Sequence, residues 1–235
     1  MRRSGPFVPW GRGLACIVAG AALATAAHAQ FGASVAVDSD YRYRGVSLSD
    51  SRPSLRLTLN YDTPEGGYAG ASATRAALTA RDTYTQVLGY AGWATRAVDG
   101  RSLEVGIDAS HFTGIPGYDF AEAYAGLLAE QWSARLYYAP DYYGRHVQAA
   151  YAEFNAHVPL DQRARLFGHV GALAALGSVG AAGGQARSDV SAGAGIALRG
   201  WDLHLAVVAA SRGGPYPAVY GGRRAAIVAG ASFSF

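Results

Sequence analysis

Lysine is missing from this 235-residue sequence, and cysteine occurs once, at Cys16. That cysteine lies in an N-terminal leader, so the rest of the chain can form no disulfide and do no thiolate chemistry. An excess of charge of one sign is missing too. Twenty basic residues face seventeen acidic ones, but Arg2, Arg3 and Arg12 belong to the leader, and the remainder is close to neutral. The basic pI therefore gives no argument for a nucleic-acid partner. Beyond the leader no apolar run is long enough for a membrane-spanning helix. Histidines at metal-ligand spacing are absent, since His111, His146, His157, His169 and His204 are scattered. The Gly-rich run at 177–184 lacks the strand-then-helix context of a phosphate loop and reads as a plain loop. No cofactor is expected.

The leader is expected to be a cleaved secretory signal peptide over residues 1–29. Three arginines form its positive start, residues 14–27 form an apolar stretch too short to span a bilayer, and Ala27-His28-Ala29 is a small-x-small cleavage site. Gly13-Leu14-Ala15-Cys16 lacks the aliphatic residue that opens a lipoprotein box, so no lipid anchor is expected. The mature chain, 30–235, has no linker-like stretch and is expected to be one domain.

What the mature chain does have is period-two alternation. Leu55, Leu57, Leu59 and Tyr61 interleave with Ser54, Arg56, Thr58 and Asn60, and Leu103, Val105, Ile107 and Ala109 interleave with Glu104, Gly106, Asp108 and Ser110. Similar stretches begin near Trp132, Asp189 and Ala225. Successive strand side chains point to opposite faces, so each segment has one apolar and one polar face. The stretch 34–44 reads as one such strand, with Val35, Val37, Tyr41 and Tyr43 against Asp38, Asp40, Arg42 and Arg44. Segments 67–75 and 84–93 alternate less cleanly. About twelve segments have the length of tilted membrane strands.

Connections alternate between short turns (62–66, 97–101, 129–131, 159–162, 199–200) and longer pieces (45–52, 76–82, 113–117, 140–145, 176–187, 211–224). None is long enough to suggest a large plug or a constriction loop folded inward. The polar face repeatedly carries charges of both signs, too many to enclose dry, whereas a watery lumen removes their desolvation cost. In lipid only a closed sheet leaves no backbone group unpaired. The expected fold is therefore all-β: a transmembrane antiparallel β-barrel of about twelve strands, with short periplasmic turns and longer extracellular loops.

Several blocks carry a family resemblance: S39-D-Y-R-Y-R-G-V-S47 with P53-S-L-R-L-T-L-N-Y61, G67-Y-A-G70, Y118-D-F-A-E-A-Y-A-G126, L136-Y-Y-A-P-D-Y-Y-G144 with A150-Y-A-E-F-N-A-H-V-P-L160, and S232-F-S-F235. The chain resembles the TorF-type porin family, also catalogued as Gcw_chp. Gly70-Ala71-Ser72 departs from that family's pattern, where a tryptophan-containing segment is usual. The resemblance implies a pore in a Gram-negative outer membrane and supplies no substrate.

The lumen-facing set is expected to be Asp38, Asp40, Arg42, Arg44, Arg56, Glu104, Asp108, Glu122, Arg135 and Glu153, with His157, His169 and His204 as further polar positions. Rings of charge tune which solutes enter a pore, although the same residues can pair simply to stiffen the barrel. Tyr43, Tyr61, Trp132, Tyr138, Trp201, Phe233 and Phe235 are the expected aromatic girdle, and Phe235 resembles the terminal signal read by the barrel-assembly machinery. A Ser110–His111–Asp108 hydrolase is disfavoured because adjacent strand residues point apart. The expected role is non-enzymatic passage of small polar solutes or ions through a narrow lumen. Two alternatives stay open: a non-conducting barrel acting by its outer loops in adhesion, reception or membrane organisation, and a soluble exported sandwich or lipocalin-like binder.

Overall fold

The structure is a computed structural model that describes residues 30–77, 83–97, 100–115, 117–177, 184–215 and 223–235. The leader, the Gly-rich run and the middles of the connections at 76–82, 176–187 and 211–224 lie outside these residues.

Twelve long strands close into one antiparallel barrel. They are β1 (Gln30–Asp38), β4 (Ser54–Asp62), β5 (Gly67–Ala76), β6 (Tyr84–Arg96), β7 (Ser102–Phe112), β8 (Phe120–Leu128), β9 (Trp132–Ala139), β10 (Ala149–Pro159), β11 (Ala164–Ala175), β12 (Ala186–Leu198), β13 (Trp201–Ala210) and β14 (Ala225–Ser234). A two-stranded hairpin, β2 (Arg42–Tyr43) and β3 (Val46–Ser47), stands apart from the barrel sheet. Each barrel strand pairs with its sequence neighbours, and β1 closes the ring by pairing with both β4 and β14. The barrel sheet therefore has no open edge, as a hydrocarbon environment requires.

The cross-strand register sorts every position by face. Leu57, Ile107, Leu205, Val207 and Ile227 lie on the outer face and are exposed, while Glu104, Asp108, Glu122 and Arg135 lie inside and are buried. This inverts a soluble protein, whose apolar side chains turn inward. It excludes the soluble sandwich and fits an apolar band against lipid. Ile107→Arg, in the middle of β7, is expected to lower folding stability in vesicles by about 2–4 kcal/mol, against about 0–1 kcal/mol for Phe31→Arg at the barrel's end. Urea titration of the membrane-inserted fraction checks this, and equal losses would mean that the band does not face lipid.

The short connections share one end of the barrel and the longer ones share the other. At the turn between β10 and β11, Asp161 accepts the backbone N–H groups of Arg163 and Ala164, both at 2.7 Å. Those donors hold its carboxyl below the usual range. Aromatic pairs mark the turn end on the outer face: Phe31 with Tyr61 at 4.7 Å, Trp132 with Phe154 at 5.9 Å, Trp201 with Phe233 at 5.2 Å and Phe233 with Phe235 at 5.1 Å. Trp93, on the outer face of β6, joins this end and donates its indole N–H to the Glu65 carbonyl at 2.7 Å. Tyr138 lies outward nearer the loop end.

Two expectations need correction here. The stretch 34–44 is not one strand, because β1 ends at Asp38 and the chain turns into the barrel. Tyr43 is accordingly buried in the interior and not at the lipid boundary. The connection between β1 and β4 also folds inward, although no loop seemed long enough to do so. A two-residue turn makes a hairpin compact enough to fit.

Candidate pore and the hairpin that fills it

Asp40 starts the inward turn. Its carboxylate accepts the hydroxyls of Ser47 at 2.5 Å and Ser49 at 3.2 Å and pairs with Arg42 Nε at 2.7 Å. Local bonding of this kind competes with continuing a strand. Arg44 (φ 49°) and Gly45 (φ 73°) then form the two-residue turn between Tyr43 and Val46. Both central residues lie in the left-handed region, as a type I′ hairpin turn requires. Gly45 meets a second constraint: a Cβ there would sit 2.6 Å from the Cβ of Asp189 and 2.8 Å from that of Ala210. The turn tip therefore abuts the inner wall at β12 and β13.

The hairpin bonds to several sides of the wall. Tyr41 donates its hydroxyl to Gln86 Oε1 on β6 at 2.9 Å, and Gln86 in turn donates to Ser110 on β7 at 2.8 Å. Arg42 reaches the Gly45 carbonyl at 3.0 Å and the Arg223 carbonyl at 2.9 Å. Arg44 makes a two-pronged pair with Glu122 on β8, at 2.9 and 2.7 Å, and both side chains are almost wholly enclosed.

A second connection, between β9 and β10, also turns inward. It carries a 3₁₀ turn at Tyr142–Gly144, with Tyr143 at φ 55°. Tyr142 and Tyr143 are both fully buried and pack on Phe120, with ring centroids 5.0 and 4.6 Å away. Together the two connections and the inner wall build one apolar cluster that includes Tyr41, Tyr43, Leu48, Phe112, Tyr137 and Tyr151. The cluster packs across the loop end of the lumen and follows the β5–β8 wall to Tyr68 and Tyr124. Toward the turn end the wall positions Ser34, Thr58, Asn60 and Asp62 are only half-buried.

Beside these rings, the wall charges meet one another. Arg135 on β9 lies between Glu104 on β7, which it contacts through Nε, and Glu153 on β10 at 3.6 Å. Asp38 pairs with Arg56 at 2.8 Å and has His204 at 3.5 Å. Arg165 grips Asp202 through two bonds of 2.8 and 2.9 Å. His169 bridges Asn155 at 2.7 Å and Asp189 at 2.8 Å. His157 also lies on the inner register, opposite Phe167.

Of the ten expected lumen residues, Asp38, Arg56, Glu104, Asp108, Glu122, Arg135 and Glu153 stand on the inner wall, while Asp40, Arg42 and Arg44 stand on the hairpin. What the sequence reading missed is the tyrosine content of the wall. Tyr68, Tyr90 and Tyr124 each lie over a glycine on the next strand, at Gly92, Gly70 and Gly106. The signal was present as tyrosines and glycines sharing one face two residues apart. Gly106→Val is expected to push Tyr124 off the wall and cost several kcal/mol, read as a lower heat-modification temperature on gels. An unchanged temperature would mean the ring has room to move.

Catalytic geometry does not form around Ser110. Its hydroxyl faces inward to Gln86, whereas His111 is exposed on the other face and bonds Asp119 at 2.6 Å. Among the described residues no cluster of three or more His, Asp or Glu side chains is arranged to hold a metal ion.

Solved structures share the architecture. The KdgM porin, determined in complex with disordered oligogalacturonate, aligns with a TM-score of 0.56 at 10% identity, over 87% of this chain and 99% of its own. The NanC porin aligns with a TM-score of 0.59 at 10% identity, again over 87% and 99%. Identities this low establish the porin-like barrel fold alone. No curated protein matches the sequence. The family model described as "Bacterial protein of unknown function (Gcw_chp)" matches residues 21–232, nearly the whole barrel, and the chain belongs to that family.

Proposed function

We propose that this chain is an outer-membrane pore for small neutral or cationic solutes, shut in the present conformation by its first loop. The observation that carries the reading is the character of the plug. It is a short hairpin that packs Tyr41, Tyr43, Val46 and Leu48 against the wall but is tied to it by polar contacts that water can replace, Arg44–Glu122, Tyr41–Gln86 and Arg42 to a backbone carbonyl. A barrel built only as a solid strut would need no polar, detachable filling.

The sign of the lumen supports the solute class. From β7 to β12 the inner wall carries Glu104, Asp108, Glu122, Glu153 and Asp189 against Arg135, Arg165 and, toward the loop rim, Arg187. A ring of carboxylates favours cations. A polyanion such as the oligogalacturonate found with KdgM is therefore disfavoured here. The residue roles assigned to the lumen belong to this proposal, as do the girdle at Tyr61, Trp132, Tyr138, Trp201, Phe233 and Phe235, export by the 1–29 leader, the TorF-type assignment and delivery to the assembly machinery through exposed Phe235. No catalysis is proposed.

The mature chain refolded into a planar bilayer under a KCl gradient tests the reading. Infrequent discrete openings with a reversal potential on the cation-selective side are expected. A folded, heat-modifiable barrel that carries no current even after excision of residues 41–48 would overturn it. One observation favours that second reading, a non-conducting barrel: Glu104 and Arg135 are 3% and 6% exposed, as in a packed interior.

A further inference from the structure

The guanidinium of Arg44 is enclosed by four tyrosine rings. Its carbon lies 4.1 Å from the Tyr151 centroid, 4.9 Å from Tyr43, 5.2 Å from Tyr137 and 5.7 Å from Tyr142. Glu122 closes the cage with its two-pronged pair, and Tyr142 accepts from Arg44 Nη1 at 3.3 Å. These are the parts of a site for an organic cation: aromatic faces on several sides and one carboxylate.

Ownership of the parts matters. Tyr43 belongs to the hairpin and leaves with it. Tyr137 stands on β9, Tyr151 on β10, Tyr142 on the inward β9–β10 connection and Glu122 on β8. The wall thus keeps three rings and the carboxylate when Arg44 withdraws. We propose that this cage is a binding site for a small organic cation of guanidinium or quaternary-ammonium type, in which Arg44 is an internal stand-in, so that the free cation competes with Arg44 and releases the hairpin. The proposal rests on the gated-pore reading, and it makes the solute its own key.

The chemistry favours organic over inorganic cations. A weakly hydrated guanidinium or tetramethylammonium gives up little water on entering an aromatic cage, and a planar guanidinium can also form the two bonds to Glu122. Sodium lacks both advantages. Carboxylate-bearing solutes would meet Glu122 with like charge.

Calorimetry of the detergent-solubilised Arg44→Ala barrel with methylguanidinium, at millimolar concentrations far below denaturing ones, is the test. Saturable binding is expected, weakened about tenfold or more in Arg44→Ala/Glu122→Gln and in Arg44→Ala/Tyr151→Leu, with no heat from sodium. The wild-type barrel should bind more weakly, and its open probability in bilayers should rise with methylguanidinium concentration. A folded Arg44→Ala barrel that gives no saturable heat overturns the proposal. If that variant does not fold, the wild-type titration decides, by near-ultraviolet dichroism of the tyrosines: no change up to the highest concentration overturns it equally. Binding without current would sink the pore and spare the site, whereas current without binding would do the reverse.

Discussion

Arg44→Ala is expected to raise the open probability of a mostly silent barrel by orders of magnitude. In the wild-type protein Arg44 and Glu122 neutralise each other with side chains 4% and 1% exposed. Truncating one partner of such a pair leaves an uncompensated buried charge, a penalty of about 3–5 kcal/mol if nothing moves. The hairpin offers an escape, since leaving the lumen hydrates Glu122. Withdrawal does not sacrifice the Asp40–Arg42 pair or the Ser47 and Ser49 bonds, because these lie within the hairpin connection itself and travel with it. It loses Tyr41–Gln86, the Arg42 bond to the Arg223 carbonyl and the Ala77 N–H bond to the Leu48 carbonyl, each a modest net term once water replaces it. It also exposes Tyr41, Tyr43, Val46 and Leu48, whose burial keeps the wild-type hairpin mostly in place. Those losses are the same with or without Arg44, so the unpaired Glu122 is what shifts the balance toward the withdrawn state. The ratio of open to shut time should rise by roughly two to four orders of magnitude, the equivalent of that penalty. Gly45→Val should act in the same direction by sterics alone, since its side chain would enter the space of Asp189 and Ala210. Single-channel recording reads both. If either variant folds and remains as silent as wild type, the hairpin is not the barrier.

The strand count and the two-sided connection pattern were legible in sequence, because lipid and water impose opposite polarity on alternate residues at most positions. The weak stretches show where that signal fails. On β5 and β6 the inner face is built from Tyr68, Gly70, Tyr90 and Gly92, which are neither charged nor plainly apolar. The outer face there is largely alanine, so hydropathy barely alternates although the register is regular. The hairpin was hidden for another reason. Residues 39–44 continue the alternation of β1 in composition, and only the Asp40 bonds and the Arg44-Gly45 turn break it. That break is a tertiary event, because Arg44 accepts a left-handed backbone in exchange for Glu122, a partner 78 residues away in sequence. Charge at alternating positions revealed which residues are polar inside. It could not reveal that Arg42 and Arg44 approach the wall from the lumen while Arg56 and Arg135 belong to it.

That difference in attachment predicts a separation of effects within one set of arginines. Arg135→Met should weaken the barrel itself, not its opening. Arg135 lies between Glu104 and Glu153 on strands three apart around the ring, and both carboxylates are fixed to barrel strands that cannot carry them into water. The paired acids stay where the wall holds them, and the expected loss is about 3–5 kcal/mol. It should appear as a lower urea midpoint for the vesicle-inserted fraction and as earlier heat modification on gels. Adding Glu104→Gln should recover part of the loss, because Tyr68 can still bond the neutral amide, now at the site where it meets Glu104 at 3.3 Å, and Glu153 keeps the Tyr137 hydroxyl at 2.9 Å. Conductance of whatever fraction folds should resemble wild type, since the hairpin contacts are intact. If Arg135→Met opened the channel as Arg44→Ala is expected to, wall and hairpin would be one electrostatic unit, and the assignment of barrel strength to one and closure to the other would be wrong.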